Sequence, residues 1–159
     1  MMSISRFVSI FLAMSLLGGC AFQHVQNVPL PNQANNIDDV NKVRVYVIRK
    51  PWLFNLASHI ALVQVYDGGK KIGSIAGHRG YLSWEREPGD TTISAEPGMI
   101  SGSDSIDVTL KKGNVYYITE QTKPESLFPT SPLITTLELV DDVIGKDELA
   151  KAKPPAIKD

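Results

Sequence analysis

From Lys42 onwards, apolar and polar positions follow a period of two, which is typical of β-strands. Val43, Val45 and Val47 occupy every second position, and this alternation predicts a strand with one face buried. Residues 60–66 include β-branched or aromatic side chains at both even and odd positions, which predicts a second strand covered on both faces.

Turn residues divide the rest of this region into short strands. Asp67-Gly68-Gly69-Lys70 is a hairpin turn, because glycine adopts the positive φ angles that tight turns require. Pro-Gly and Lys-Gly-Asn sequences separate later segments in the same way. Further strands are predicted over 71–75, 80–85, 90–96, 105–110, 115–121 and 133–140.

One helix is predicted after the last strand. Asp141 and Asp142 suit a helix N-terminus and Lys151 suits a C-terminus, because the helix dipole favours acids first and bases last. Gly145 weakens the first turns, so we expect the helix to begin nearer Lys146. The pattern as a whole predicts a mainly β fold, an antiparallel β-sandwich of about seven to eight strands with one C-terminal helix.

Composition agrees with a single globular domain. The chain has 159 residues, of which 43% are hydrophobic, with 16 Lys and Arg against 17 Asp and Glu. Without an excess of basic residues, a nucleic-acid partner is disfavoured. We place the sandwich domain at 42–153 and a C-terminal tail at 154–159.

The N-terminal segment has the pattern of an export signal. One basic residue precedes an apolar run over 7–17, which is too short to span a bilayer as a helix. The run ends in Leu17-Gly18-Gly19-Cys20, which resembles the bacterial lipobox. The resemblance implies that a signal peptide, 1–19, is removed and that Cys20 receives a diacylglycerol and an N-acyl chain such as palmitate. The alternative is an ordinary signal peptide or a buried helix with an accidental Gly-Gly-Cys sequence.

Residues 20–41 are expected to form the lipidated N-terminus and a flexible tether, since they are rich in Asn, Gln and Pro without a sustained period. An extended strap packed on the domain is the alternative. Ala21, rather than Asp, follows Cys20. By resemblance to lipoproteins of bacteria with two membranes, this implies the periplasmic face of the outer membrane.

The order of motifs in the domain resembles the small bacterial lipoproteins grouped as domain-of-unknown-function family 2846. The residues that carry the resemblance are Val45-Tyr46-Val47-Ile48-Arg49 with Pro51, Val65-Tyr66-Asp67-Gly68, Lys70-Lys71-Ile72-Gly73, Gly80-Tyr81-Leu82, Glu87-Pro88-Gly89, Thr92-Ile93-Ser94-Ala95, Lys112-Gly113-Asn114-Val115-Tyr116-Tyr117 and Leu137-Glu138-Leu139-Val140. The sequence departs from the family pattern at Lys50 and Gly69, which look like additions within turns. The resemblance implies a membrane-anchored sandwich and no assigned activity.

No catalytic constellation is recognised, so we expect a protein that is not an enzyme and has no metal or other cofactor. Acylation would consume Cys20, the only cysteine, and His24, His59 and His78 have no metal-binding spacing. The paired acids fit helix capping better than glycosidase chemistry. Two alternatives stay open: a ligand- or metal-binding lipoprotein with a cleft near Tyr81, Trp84 and His78, and, with least support, a cell-wall-active hydrolase.

Two apolar segments containing proline stand out as candidate interaction loops. One carries Trp52, Leu53 and Phe54, and the other carries Leu127 and Phe128. Exposed apolar surface usually marks contact with a partner or lipid. Such loops more often seal the open end of a small sandwich, and that structural role remains the alternative. We expect a lipid-anchored envelope module that contacts membrane lipid through Cys20 and an envelope protein or the membrane surface through these loops.

Overall fold

The computed structural model describes residues 37, 39–51, 62–97, 102–126 and 131–152. The predicted signal peptide, the lipobox-like sequence with Cys20, most of the predicted tether and the predicted C-terminal tail lie outside the described residues. So do both candidate interaction loops, with Trp52, Leu53, Phe54, Leu127 and Phe128.

Eight strands and one helix follow one another along the described chain, as the alternation pattern predicts. They are β1 (Val43–Arg49), β2 (Val63–Asp67), β3 (Lys70–Ile75), β4 (Tyr81–Arg86), β5 (Gly89–Pro97), β6 (Asp104–Leu110), β7 (Val115–Pro124), β8 (Leu133–Val140) and α1 (Asp142–Lys151). The predicted mainly β fold with a C-terminal helix is confirmed. The helix is too short to cross a membrane, and none of the described helical structure meets the length and hydropathy of a span.

The strands form two four-stranded sheets. The first sheet has the order β4-β1-β7-β8 and the second has the order β3-β2-β5-β6. Five neighbouring pairs are antiparallel, but β1 and β7 run parallel. The predicted antiparallel sandwich therefore contains one parallel pair of strands. A period-two pattern reports which face is buried and carries no information on which strand lies alongside.

The main core lies between the two sheets. Its completely buried side chains include Val43, Val45, Val47, Val63, Val65, Ile75, Ile93, Ala95 and Ile118. Every residue of β1 is buried, so the expectation of one exposed face on this strand was wrong. The reverse holds for β2, where Gln64 and Tyr66 are only half-buried although we predicted cover on both faces. Strand position in the sheet, rather than local composition, decides this difference.

A second apolar cluster covers the other face of the first sheet. Tyr46, Tyr81 and Tyr117 lie there with Ile48 and Leu149, and α1 packs against β7. The rings of Tyr46 and Tyr117 are stacked with centroids 5.4 Å apart. The C-terminal helix is therefore the element that gives β1 its second buried face.

Helix α1 begins earlier than we predicted. Asp141 is its N-cap and accepts hydrogen bonds from the backbone amides of Val143 and Ile144, each at 2.9 Å. Gly145 lies within the first turns and is buried against the ring of Tyr117, where a Cβ atom would overlap the ring. The cost of glycine in a helix is thus offset by close packing on the sheet, which a local pattern cannot reveal.

The strand directions give the sandwich two distinct ends. We call the loop end the one where β1, β3, β5 and β7 finish and where β2, β4, β6 and β8 begin. We call the entry end the opposite one, which carries residues 39–42, 68–69, 87–88, 111–114 and the start of α1. The hydrogen bond from Gly113 N to Lys42 O, at 2.8 Å, joins two of the entry-end segments.

Replacing Gly145 by Ala should destabilise the domain by about 1–3 kcal/mol through overpacking against Tyr117. In an open helix the same change stabilises by about 1 kcal/mol, so the sign separates packing from propensity. The measurement is denaturant unfolding, with Val143→Ala on the exposed side of the same helix as a control that changes stability little. An equal or higher stability of G145A would contradict the packing argument.

Candidate functional site

The loop end is the candidate site, because both sequence-predicted interaction segments connect strands there. The first segment leaves β1 after Arg49 and reaches β2 at Val63, and the second joins β7 to β8. Since β7 is parallel to β1, the two strands finish at the same end of the same sheet. The topology thus brings together the flanks of two segments that are far apart in the sequence.

A buried ion pair lies beneath these flanks. Arg49 Nε is 3.2 Å from Glu120 Oε2 on the neighbouring strand, and the two side chains are 1% and 0% exposed. Arg49 and Glu120 lie on the core-facing sides of β1 and β7, the same sides as Val47 and Ile118. Charged residues therefore replace aliphatic ones at the last core layer of the loop end.

Further polar contacts surround the pair. Arg49 Nη1 donates to Ile75 O at 3.4 Å, which links the first sheet to β3 of the second. Thr122 donates its hydroxyl to Glu120 Oε1, and the hydroxyls of Thr122 and Thr135 are 3.1 Å apart. The cluster ties three strands of the first sheet to the second sheet by directional contacts.

Burial dominates the electrostatics of this cluster. Desolvation raises the pKa of Glu120, while the charge of Arg49 and the hydrogen bond from Thr122 act in the opposite direction. Desolvation also lowers the pKa of Arg49, which the charge of Glu120 opposes. Each charge is therefore maintained by its partner, and removal of either one leaves the other uncompensated in the core.

The flanks of the two segments are held by this framework. Lys50 N donates to Glu120 O at 2.7 Å, directly above the ion pair. On the second segment, Glu125 N donates to Pro132 O at 2.9 Å, and the hydroxyls of Ser126 and Ser131 are hydrogen-bonded. Both segments thus start from ordered backbone, which is the arrangement that suits loops with a binding role.

A matching polar contact closes the entry end. Asp67, at the end of β2, accepts hydrogen bonds from Trp84 Nε1 at 2.9 Å and from Thr91 Oγ1 at 2.6 Å. It also pairs with Arg86. Trp84 and Arg86 belong to β4 of the first sheet, so Asp67 joins the two sheets here as Arg49 does at the loop end.

The residues suggested for a ligand cleft do not come together. Tyr81 is buried in the tyrosine cluster on the helix side of the first sheet, whereas Trp84 packs against the core between the sheets. They project from opposite faces of β4 and share no cleft. His78 lies in the connection before β4, and among the described residues no group of three or more His, Cys, Asp or Glu side chains is arranged to hold a metal ion.

The tyrosine cluster is a second buried polar region without evident chemistry of its own. Burial raises the pKa of Tyr117 to about 12, with smaller contributions from Asp142 and Tyr46. Arg44 lies in the same layer and pairs with Glu85, directly opposite on β4, at 2.7 Å. Tyr46 and Tyr117, whose pKa values are raised by burial, are neutral at physiological pH, and the cluster packs α1 on the sheet.

Sequence reasoning missed Arg49 and Glu120, although a signal was present. Each follows a series of apolar residues at every second, core-facing position. Arg49 comes after Val43, Val45 and Val47, and Glu120 comes after Tyr116 and Ile118. A charge at such a position requires a partner, but the pattern cannot say which one.

Comparison with known proteins does not assign this chain to a family. No protein-family model matches the chain, and no curated protein matches it either. The resemblance to family 2846 therefore stays a prediction from sequence motifs.

Replacing Arg49 by Met should cost about 3–5 kcal/mol of unfolding free energy, because Glu120 is left charged and unpaired in the core. The loss should be smaller at low pH. Without Arg49, the folded-state pKa of Glu120 lies further above its unfolded value, so stability is highest below the unfolded pKa and falls as pH rises through the folded pKa. The measurement is denaturant unfolding at several pH values.

The control for this series is the double variant Arg49→Met with Glu120→Gln, in which the carboxylate is absent. Its stability relative to the wild-type protein should lack the pH dependence of the single variant. An R49M protein whose loss of stability is the same at acidic and neutral pH would rule out an uncompensated carboxylate as the cause.

Proposed function

We propose that this chain is a lipid-anchored module of the bacterial cell envelope, without enzymatic activity, that binds another envelope component through the loop end of its sandwich. The anchor is Cys20, acylated after removal of residues 1–19, and the favoured location is the periplasmic face of the outer membrane. The observation that carries the proposal is that the domain has two different ends. The chain enters the domain at one end, and both apolar segments leave from the other.

The dimensions of the sandwich support this division of roles. Strand β1 has seven residues, which at about 3.3 Å per residue span about 23 Å. A domain connected to a bilayer through the residues before Lys42 can therefore present its loop end well away from the lipid surface. The segments with Trp52, Phe54 and Phe128, which follow β1 and β7 in the chain, are the part that we propose contacts an envelope protein.

The backbone hydrogen bonds at the loop end also favour a binding role for the two segments over a role as a loosely held cover of the core. Lys50, Glu125 and Pro132 are held by backbone hydrogen bonds on strands whose ends are joined by the Arg49–Glu120 pair. Loops that start from such rigid positions lose less conformational entropy when they bind. Trp and Phe are the residue types that most often dominate binding energy at protein interfaces.

Replacing Cys20 by Ser should abolish membrane association, because the hydroxyl does not accept the diacylglycerol that the thiolate accepts. The variant should still be exported, since the apolar run over 7–17 is unchanged. Intact-mass measurement and membrane fractionation check both points, with Ala21→Ser as a neighbouring control that keeps the acyl chains. Equal membrane retention of C20S and the wild-type protein would argue against the anchor.

Replacing Trp52 and Phe54 together by Ser should remove a crosslinked envelope partner while leaving the melting temperature nearly unchanged. The measurement is in vivo crosslinking of the anchored protein followed by identification of the captured protein. The double variant Lys70→Ser with Lys71→Ser is the control, because it changes two exposed side chains on β3 away from the two segments. A large fall in melting temperature would assign the aromatic residues to the core, and capture of lipid alone would remove support for a protein partner.

A further inference from the structure

The edge strands β6 and β8 lie next to each other on one side of the sandwich. Among the described strands, β6 pairs only with β5, and β8 pairs only with β7. We call the gap between the two edges the β6–β8 seam. Solvent reaches it, since Ser105, Asp107 and Thr109 are exposed on β6 and Leu139 on β8 is 47% exposed. Each sheet therefore ends at the seam in a strand that no described strand covers.

Both strands have the properties of edges that associate readily. Strand β8 has eight residues, of which Glu138 is the only charged one, and neither β6 nor β8 shows a register shift against its neighbour. Long, regular edge strands are templates for pairing with another chain. The edge strand β3 differs, because it carries Lys70 and Lys71 and pairs with β2 through a register shift. Lysines and bulges protect edges, and β6 and β8 contain neither.

Alternate backbone groups of β6 point into the seam. The hydrogen bond from Gly68 N to Thr92 O, at 2.9 Å, shows that the backbone groups of Thr92 face β2, so those of Ile93 face β6. Ile93 is the register partner of Ile106, and backbone groups alternate in direction along a strand. The groups that point away from β5 and into the seam are therefore those of Ser105, Asp107 and Thr109.

The carboxylate of Asp104 occupies backbone donors of both strands near the loop end of the seam. Its Oδ1 accepts the amide of Ser105 at 2.8 Å, and its Oδ2 accepts the amide of Leu137 on β8 at 2.7 Å. The amide of Thr135, on the same side of β8, donates to Gly102 O at 3.0 Å. An additional strand would need these same donors.

The hydroxyl of Tyr116 has the corresponding position near the entry end of the seam. It accepts the amide of Lys111 at 2.9 Å and donates to Thr109 O at 3.4 Å. Tyr116 belongs to β7 and packs against the core between the sheets, so its hydroxyl reaches the β6 edge from the other sheet. One side chain thus occupies a donor and an acceptor that an additional strand would use.

We propose that Asp104 and Tyr116 are edge caps that keep β6 and β8 from pairing with a second copy of this chain. A second copy is the relevant partner, because it presents the same two long, regular edges. The uncapped groups of β6 are centred on Asp107. In an antiparallel pairing of two β6 strands centred there, the two Asp107 side chains would lie opposite each other, which is destabilising. The inference concerns the folded domain and does not depend on the anchor or on binding at the loop end.

The test compares the full-length wild-type protein with the double variant Asp104→Asn and Tyr116→Phe in the same detergent. Both changes nearly preserve shape, but asparagine has one side-chain oxygen instead of two and phenylalanine has no hydroxyl. We expect faster hydrogen exchange of the Leu137 amide in dilute samples. We also expect the mass from light scattering to rise with protein concentration to at least twice the wild-type value.

The matched control is Asp90→Asn with Tyr66→Phe, which makes the same chemical changes on β5 and β2, inside the second sheet. It should keep the wild-type mass. Adding Ser105→Lys to the double variant should restore that mass, because a lysine on an edge disfavours pairing.

Three results would overturn the edge caps. They are faster exchange at Leu137 without an increase in mass, equal association of the control variant, and association that Ser105→Lys does not reverse. If the double variant loses the circular dichroism of the folded protein, Tyr116→Phe alone decides. An increase in its mass with concentration supports the proposal, and an unchanged mass overturns it.

Discussion

The fold depends on the burial of β1 on both of its faces. Its valines fill the core between the sheets, and Tyr46 and Ile48 fill the cluster beneath α1. A strand buried on both sides must lie inside its sheet and be covered by a further layer, which here is the C-terminal helix. The parallel partner β7 and the close contact of Gly145 with Tyr117 follow from the same requirement, because they bring the helix onto the strand next to β1.

Burial of this strand also explains its two charged residues. Arg44 pairs with Glu85 on one neighbour, and Arg49 pairs with Glu120 on the other. A guanidinium in a dry core is tolerated only with a partner, so each pair specifies which strand lies alongside and in which register. Together with Asp67 at the opposite end, these contacts hold the two sheets at defined positions and give the connecting segments fixed starting points.

The consequence for function is a domain with unlike ends. One end receives the N-terminal segment, since residues 39–42 directly precede β1. At the other end, β1 and β7, which precede the segments with the large aromatic residues, finish at the Arg49–Glu120 pair. The two ends therefore differ in the segments that they offer for contact.

The sequence by itself determined the β class, all eight strands to within three residues of their observed limits, the turns at 68–69, 87–88 and 111–114, and the presence of a capped C-terminal helix. Period-two alternation and turn chemistry are local properties of the sequence, so they predict strands and turns without knowledge of the fold. At β2, the described strand starts at Val63 rather than at residue 60. Only the tertiary structure decided that β1 is buried twice, that β7 is its parallel neighbour, that Arg49 meets Glu120, and that Gly145 belongs inside α1. Each of these depends on which distant segments share a layer, and contacts between distant segments are set by the packing of the whole core rather than by any local pattern.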